Sequence, residues 1–499
     1  MASNFKETGK LIFLNWNINL DDVPLEQLDH YIAVENYLMD NDEPPLDATN
    51  LEKVRGYLEA FYQLCEVEDW LRAIAILDIR LDTPTNYQLQ ILMRIWGYNQ
   101  ERIEIYSRLL GKLNSRGECF CYNNLGISYH ALADYHQAIK YHQQHLEIAY
   151  EVGDRTEMAK ALSGLGNACN SLGDYAHAVK YHQQHLEIAR EIDDRKGIGT
   201  ALSNLGNVCF YLGAYRQAVE YYEQHLEIAR ENGEHERVGQ VLGNLGNAYY
   251  SLKDYRQAIE HYQQSLEVAK QIGNCESMGK ALGGLGNAYN ALGDNARAID
   301  YLNEDLSIAR ENGDRAGVGR ALNNLGNAYY LLADYSRARE YYQQHLTIAR
   351  EIGNRAGTQK ALNNLGNAYY LLGNYRQAIE YHQQCLEIAR EIGNRAPIGT
   401  SLGNLGDAYY SLKEYHQALE YYQQCLVIAQ EIHDSKGEGY ALCKLGNTLT
   451  ALEQYPEALK SLQTALEIGK KIGHLSTEAE ALKSLAHLHQ QLGDHLPSE

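Results

Sequence analysis

A leucine–glycine pair at Leu125-Gly126 returns every 40 residues, at 165-166, 205-206, 245-246, 285-286, 325-326, 365-366, 405-406 and 445-446, and fades to Leu485-Ala486. A fixed period of this length is the mark of a solenoid, in which each unit buries its apolar face only against its neighbours. Such a chain offers a long surface and no single deep crevice.

The unit 361–400, ALNNLGNAYYLLGNYRQAIEYHQQCLEIAREIGNRAPIGT, shows how each repeat is expected to fold. Leu362, Leu365, Ala368, Tyr369 and Leu372 fall on one helical face. Gly373 ends that helix and Asn374 can cap the next. Tyr375, Ala378, Ile379, Tyr381, Leu386 and Ile388 continue as a second amphipathic helix, and Gly393-Asn394 repeats the stop-and-cap signal. Asp154 and Glu157 form a D-x-x-E capping box. Gly366 lies inside a helix at a cost of about 1 kcal/mol relative to alanine. Its return in every unit implies that a missing side chain lets two helices approach.

These residues carry a resemblance to the tetratricopeptide repeat (TPR) family: Leu365, Gly366, Tyr369 and Ala378, with the second-helix aromatic at His382 here and at Tyr342 and Tyr422 in neighbouring units. The family's early tryptophan is replaced by Leu162, Leu202 and Leu362. Its usual length of about 34 residues is stretched to 40, which we assign to a longer second helix ending in AREIGNR-type sequence. This stretched form is similar to the arrays of Pins-type G-protein-signalling modulators and of many large bacterial proteins. The resemblance implies an all-α, right-handed superhelical solenoid of antiparallel helix pairs. The expected division is an acidic extension and linker over 1–50, two degenerate repeats over 51–118, nine units over 119–480, and a capping helix and tail over 481–499. Trp70 and Ala73 should lie near the inter-helix turn of the first degenerate repeat, and Ile103, Tyr106 and Leu110 on the second helix of the other. In the cap, Lys483, Ser484, His487 and Gln490 should form a polar outer face, which favours a monomer over end-to-end stacking.

The first 50 residues read as poorly ordered: ten acids against Lys6 and Lys10 supply −8 of a net −21, and Asp-Asn-Asp-Glu-Pro-Pro after Met39 reads as a linker. The overall charge argues against a nucleic-acid binder. Nine scattered cysteines suit free thiols in a reducing cytoplasm, and no stretch has the length of a signal peptide or membrane span, so a cytoplasmic protein without membrane insertion is expected.

In the family, the first helix of each unit lines a concave groove. Counting from residues 119, 159, 199 and onward, the groove positions are two, five, six, nine, twelve and thirteen. Position nine supplies Asn207, Asn247, Asn287, Asn327, Asn367 and Asp407; position six supplies Asn204, Asn244, Asn324, Asn364 and Asn404. Position twelve supplies Phe210, Tyr250, Tyr330, Tyr370 and Tyr410, and position two supplies Arg320 and Lys360, with Lys160 and Lys280. An amide carries donors and an acceptor, so a ladder of them can bond the backbone of an extended peptide. The basic residues would favour an acidic one. The alternative is that the asparagines bond the neighbouring repeat. Position five (Ser163, Ser203, Gly243, Gly283, Asn323) lacks the basic residue of a C-terminal carboxylate clamp. The second-helix tyrosines Tyr221, Tyr341, Tyr381 and Tyr421 read as core.

No catalytic motif emerges. Gly399-Thr400-Ser401-Leu402-Gly403 has the G-x-S-x-G spacing but follows a helix, where a nucleophile elbow needs a strand. His142/His145 and His182/His185 lack a third ligand and read as packed, so no metal or cofactor is expected. Glu187, Arg190 and Glu191 read as a solvated face of i, i+3 pairs. The reading is a non-catalytic scaffold or adaptor that binds a protein or peptide. The alternative is a regulatory or sensor array acting on a separate effector, self-inhibited by its acidic N-terminus.

Overall fold

The computed structural model describes residues 5–39, 48–81, 83, 86–393 and 395–494, and among these the chain is helical, with one isolated antiparallel bridge, Arg80 to Gln88. It divides into two compact units, Met1–Gly233 and Glu234–Glu499.

Nine helix pairs follow the 40-residue beat. In the first unit they are Ser115–Ala131 with Tyr135–Val152, Arg155–Leu172 with Tyr175–Glu191, and Arg195–Tyr211 with Tyr215–Glu231. In the second they are His235–Ser251 with Tyr255–Ile272, Cys275–Ala291 with Asn295–Glu311, Arg315–Leu331 with Tyr335–Glu351, Arg355–Leu371 with Tyr375–Ile392, Arg395–Ser411 with Tyr415–Glu431, and Ser435–Ala451 with Tyr455–Ile472. Both helices of a pair have 17 or 18 residues. The extra length of the repeat is therefore shared. The first helix starts four residues ahead of the expected unit boundary, at Arg155 rather than Ala159, and the assignment of all of it to the second helix is corrected.

Each pair closes around one lock. A Cβ on the repeating glycine, from Gly126 to Gly446, would stand 2.4–2.5 Å from the side chain sixteen residues on. That side chain is His142, His182, Tyr222, Tyr262, Leu302, Tyr342, His382, Tyr422 or Leu462. The glycine gives up helix propensity so that a ring or leucine can lie flat on the backbone. Ala138 and its eight counterparts at 178, 218, 258, 298, 338, 378, 418 and 458 are fully buried.

The turn inside each pair needs one left-handed residue. Gly173, Gly213, Gly293 and Gly373 meet this freely, whereas Ala133, Lys253, Ala333, Lys413 and Glu453 adopt it at φ 59–63°. Asp134, Asp174, Asp254, Asp294 and Asp334 cap the second helices with side-chain bonds, but Asn374 occupies the cap position without making one. The expected cap at Asn394 lies outside the described residues. Asp154 accepts from Thr156 and Glu157 backbone amides, yet the Glu157 side chain reaches His145 Nε2 at 2.9 Å instead of completing a capping box.

Three further expectations are corrected. Residues 5–39 hold two helices, Phe5–Trp16 and Leu25–Met39, and Phe13, Tyr31, Val34 and Leu38 enter the first unit's core. Tyr31, Val34 and Leu38 fall on one helical face, and the Tyr31 hydroxyl donates to Asp69 at 2.8 Å. This segment packs into the fold rather than being poorly ordered; the linker expected at 40–47 lies outside the described residues. Next, Leu110 caps Asn99–Leu109 rather than lying within it, whereas Trp70 opens the helix Trp70–Leu77 beside the turn that follows Arg55–Glu66, where it was expected. Last, the closing helix runs Leu475–Asp494; Ser484 is buried while Leu475 and Leu482 are exposed, so its outer face is mixed.

Candidate functional site

Within each unit successive first helices touch directly, and side chains at positions five, six and nine meet there. Asn364 Nδ2 donates to Asn323 Oδ1 at 3.1 Å, and Asn323 Nδ2 to Asn324 Oδ1 at 3.3 Å. Asn404 Nδ2 donates to Asn363 Oδ1 at 3.1 Å and to Asn367 Oδ1 at 3.3 Å. Position-six asparagines of these repeats thus bond the preceding repeat, and Asn323 and Asn324 are buried. Asn204 and Asn244 are half-buried.

The position-nine column has a partner that sequence reading did not find. Tyr222, Tyr262 and Tyr342 donate their hydroxyls to Asn207, Asn247 and Asn327 at 2.7–2.9 Å. Tyr422 does the same to Asp407 at 2.6 Å. These four repeats carry tyrosine in the glycine lock, but Asn167, Asn287, Asn367 and Asn447 stand at position nine where the lock is histidine or leucine, so the column alone did not mark the bond. A buried hydroxyl requires a partner, and in the three repeats with Asn the bond offsets the cost of that residue inside a helix. Asp407 also accepts from Tyr440 at 2.6 Å and lies 3.6 Å from Lys444, which reaches Glu480 at 3.4 Å. Burial, then the Asp407 charge, raises the pKa of both tyrosines. Asp407 is therefore the hub of an internal network.

The position-twelve rings stay at the surface of the array. Tyr250 is 36% exposed, and Phe210, Tyr330, Tyr370 and Tyr410 are half-buried. Each packs on the ring that opens its second helix (Tyr215, Tyr255, Tyr335, Tyr375, Tyr415), with centroids 5.3–5.4 Å apart. Tyr221, Tyr341, Tyr381 and Tyr421 are half-buried rather than core, and the last three stack on Tyr329, Tyr369 and Tyr409 at 5.2–5.3 Å.

The basic column is largely spent inside the chain. Lys160 pairs with Glu157 at 2.7 Å, Lys280 with Glu276 at 2.6 Å, and Arg320 with the buried Asp305 at 3.3 Å. Lys360 is exposed and lines a cavity of about 360 Å³ with Asn363, Cys385, Thr400 and Ser401. Ser401 lies mid-helix, buried, and donates to Cys385 Sγ at 3.3 Å, so it forms no nucleophile elbow. Glu191 pairs across to Arg155 at 3.4 Å rather than along its own helix, and Arg195–Glu231, Arg315–Glu351, Arg355–Glu391 and Arg395–Glu431 repeat this clasp.

The histidines are packed. Burial holds His142 down to about 3 and His182, His345 and His382 to about 4, so all four are neutral at pH 7. Hydrogen bonding to His145 draws Glu157 down to about 2. No group of three potential metal ligands occurs among the described residues, and no described helix is long and apolar enough to cross a membrane. The nine cysteines are unpaired, and all but Cys275 are buried.

Comparison with functionally curated proteins gives no match. Among solved structures, a signal-transduction ATPase with numerous domains and a tetratricopeptide repeat sensor, from Pyrococcus horikoshii, matches 98% of this chain and 73% of its own at 14% identity and a TM-score of 0.48. The apo form of the quorum sensor NprR from B. thuringiensis matches 71% of this chain and 98% of its own, at 13% and 0.49. The apo form of RapI matches 55% and 99%, at 18% and 0.47. The sequence profile described as Tetratricopeptide repeat matches residues 118–191, 197–271, 277–351, 357–431 and 438–499. With most of the chain under that profile and nine helix pairs behind it, this protein belongs to the tetratricopeptide repeat family.

Proposed function

We propose that the chain is a non-catalytic interaction scaffold, with residues 119–480 as its working repeats and residues 51–118 as a degenerate start. Its partner is a protein segment held along the first helices. The observation that carries this is the periodic strip of half-exposed aromatics and amides: Tyr250, Tyr330, Tyr370 and Tyr410 with Asn244, Asn287 and Asn367 between them. Rigid rings give contact area at low entropy cost. Several of the amides hold their own scaffold in shape, so the binding strip is also a stiffened one, and little ordering remains to oppose association.

The internal pairing of Lys160, Lys280 and Arg320 weakens the argument for an acidic partner. Catalysis has no support in the arrangement: the one serine in a hydrolase-like string is buried mid-helix.

The test is affinity capture from the native cell with the full chain and with N244A/N287A/K360E, a variant that spares the tyrosine–asparagine bonds. Loss of the captured protein with unchanged helicity is expected. Equal capture by both chains would exclude this strip as the binding surface.

A further inference from the structure

The fifth repeat, Cys275–Glu311, departs from the others at several positions, and the departures converge. It carries Asp305 where four other repeats place His145, His185, His225 and His345. Positions five and six are Gly283 and Gly284, and its first helix opens on Cys275 where five repeats open on arginine. Beside these residues lies a cavity of about 370 Å³, lined by Cys275, Glu276, Gly279, Asp305, Asn312 and Arg320 among others.

Asp305 has no exposed surface. Its Oδ1 accepts from Arg320 Nη2 at 3.3 Å, longer than the about 2.7–2.9 Å of a well-made charge-assisted bond. Its Oδ2 has no hydrogen-bond partner among the described residues, and neither has Arg320 Nε. A buried carboxylate oxygen without a donor is rare in a finished fold. The space is created by glycine: a Cβ on Gly279 would stand 2.8 Å from Asp305 Oδ1 and 2.9 Å from Arg320 Nη2.

The lining is rich in acceptors. Glu276, Asp305 and Asp314 share the lining with one cation, Arg320, and Glu276 is also paired with Lys280 at 2.6 Å. Asn312 donates its Nδ2 to Ile308 O at 2.7 Å, which leaves its amide oxygen to accept. The Arg320 side chain is 36% exposed, while the carboxylate that it contacts has no exposed surface.

We propose that this cavity receives the ammonium group of a basic partner segment, with Asp305 Oδ2 as its counter-ion and the Asn312 amide oxygen beside it. An ammonium is compact and brings three donors, whereas the planar face of the carboxylate is already shared with a guanidinium. Burial pushes the Asp305 carboxyl up to about 6 while Arg320 draws it down, so it is ionised at pH 7 and ready to pair. The inference rests on the proposed function and sharpens it: the partner presents a lysine side chain or a free N-terminal amine.

The experiment titrates the full chain calorimetrically with n-butylammonium chloride and with glycinamide, which stand for the two amine sources, and with N-acetylglycinamide as the uncharged control. The variant is D305H, which installs the residue of four other repeats; D305N, closer in shape, is the second. Saturable binding of an amine, weakened about tenfold or more in D305H or D305N with unchanged circular dichroism, is expected for the loss of one charge-assisted bond. Preference for one amine identifies the source. Absence of saturable amine binding, equal binding by the variants, or equal binding of the acetylated control overturns the proposal. If N244A/N287A/K360E loses the captured partner while no amine binds, the ammonium site falls and the scaffold function stands. If amines bind as expected but that variant captures the partner unchanged, the strip reading falls instead.

Discussion

Acid should loosen this array between pH 7 and pH 5, and replacing two histidines by tyrosine should prevent much of that loss. His142, His182, His345 and His382 are buried, and burial holds their pKa values to about 3, 4, 4 and 4. In the unfolded chain each titrates near about 6.5. A histidine whose folded pKa is depressed supplies stability that is complete above the unfolded pKa. It disappears as pH falls from about 6.5 toward about 4. Between pH 7 and pH 5 each of the four should cost about 2 kcal/mol, or about 7 kcal/mol together. Asp305 works against them: its raised pKa of about 6 makes the folded state gain about 1 kcal/mol over the same interval. The net loss is about 6 kcal/mol, spread over both compact units.

His182 and His382 sit in the glycine lock, where Tyr222, Tyr262, Tyr342 and Tyr422 serve other repeats, and Asn167 and Asn367 stand ready at position nine to accept a new hydroxyl. H182Y/H382Y should therefore fold, gain up to about 1 kcal/mol per new bond at pH 7, and keep about 4 kcal/mol that the wild type loses by pH 5. Urea denaturation followed by far-ultraviolet circular dichroism at both pH values measures this. If wild type and variant lose the same stability between pH 7 and pH 5, the buried histidines are not the acid-sensitive element.

Three further outcomes are expected. A333G should stabilise the chain by about 0.5–1 kcal/mol, because Ala333 holds φ +59° at a turn that glycine enters freely, and an unchanged denaturation midpoint would count against strain there. G326A should destabilise by about 1–2 kcal/mol despite its better helix propensity, since the new methyl meets the Tyr342 ring at 2.4 Å; a stabilised variant would refute the lock. A thiol reagent such as dithionitrobenzoate should modify one cysteine rapidly in the native protein, Cys275, and the other eight only on unfolding; several fast thiols would contradict their burial.

Much of the fold could be read from the sequence because the repeat multiplies every weak signal. One Leu-Gly pair says little, but nine in register mark helix, lock and turn together. The N-terminal segment was misread because its ten acids outweigh, in composition, the four side chains that dock it (Phe13, Tyr31, Val34, Leu38). The candidate site was legible as columns and not as bonds. Position nine identified the asparagines, but their tyrosine partners lie fifteen residues away on another helix, at a distance only the packing angle fixes. Arg320 was read as a groove cation because Asp305, its partner, is the one carboxylate in a column otherwise filled by histidine, serine, cysteine and alanine.

The glycine lock bears on how such a chain can change over generations. Glycine and ring always lie sixteen residues apart inside one repeat, so gaining or losing a whole 40-residue block leaves every remaining lock intact. A block of another length that begins or ends between a glycine and its partner separates the two and breaks that lock. Array length is thus a quantity that can be altered in whole steps at small structural risk, and the length of surface along the first helices changes in the same steps.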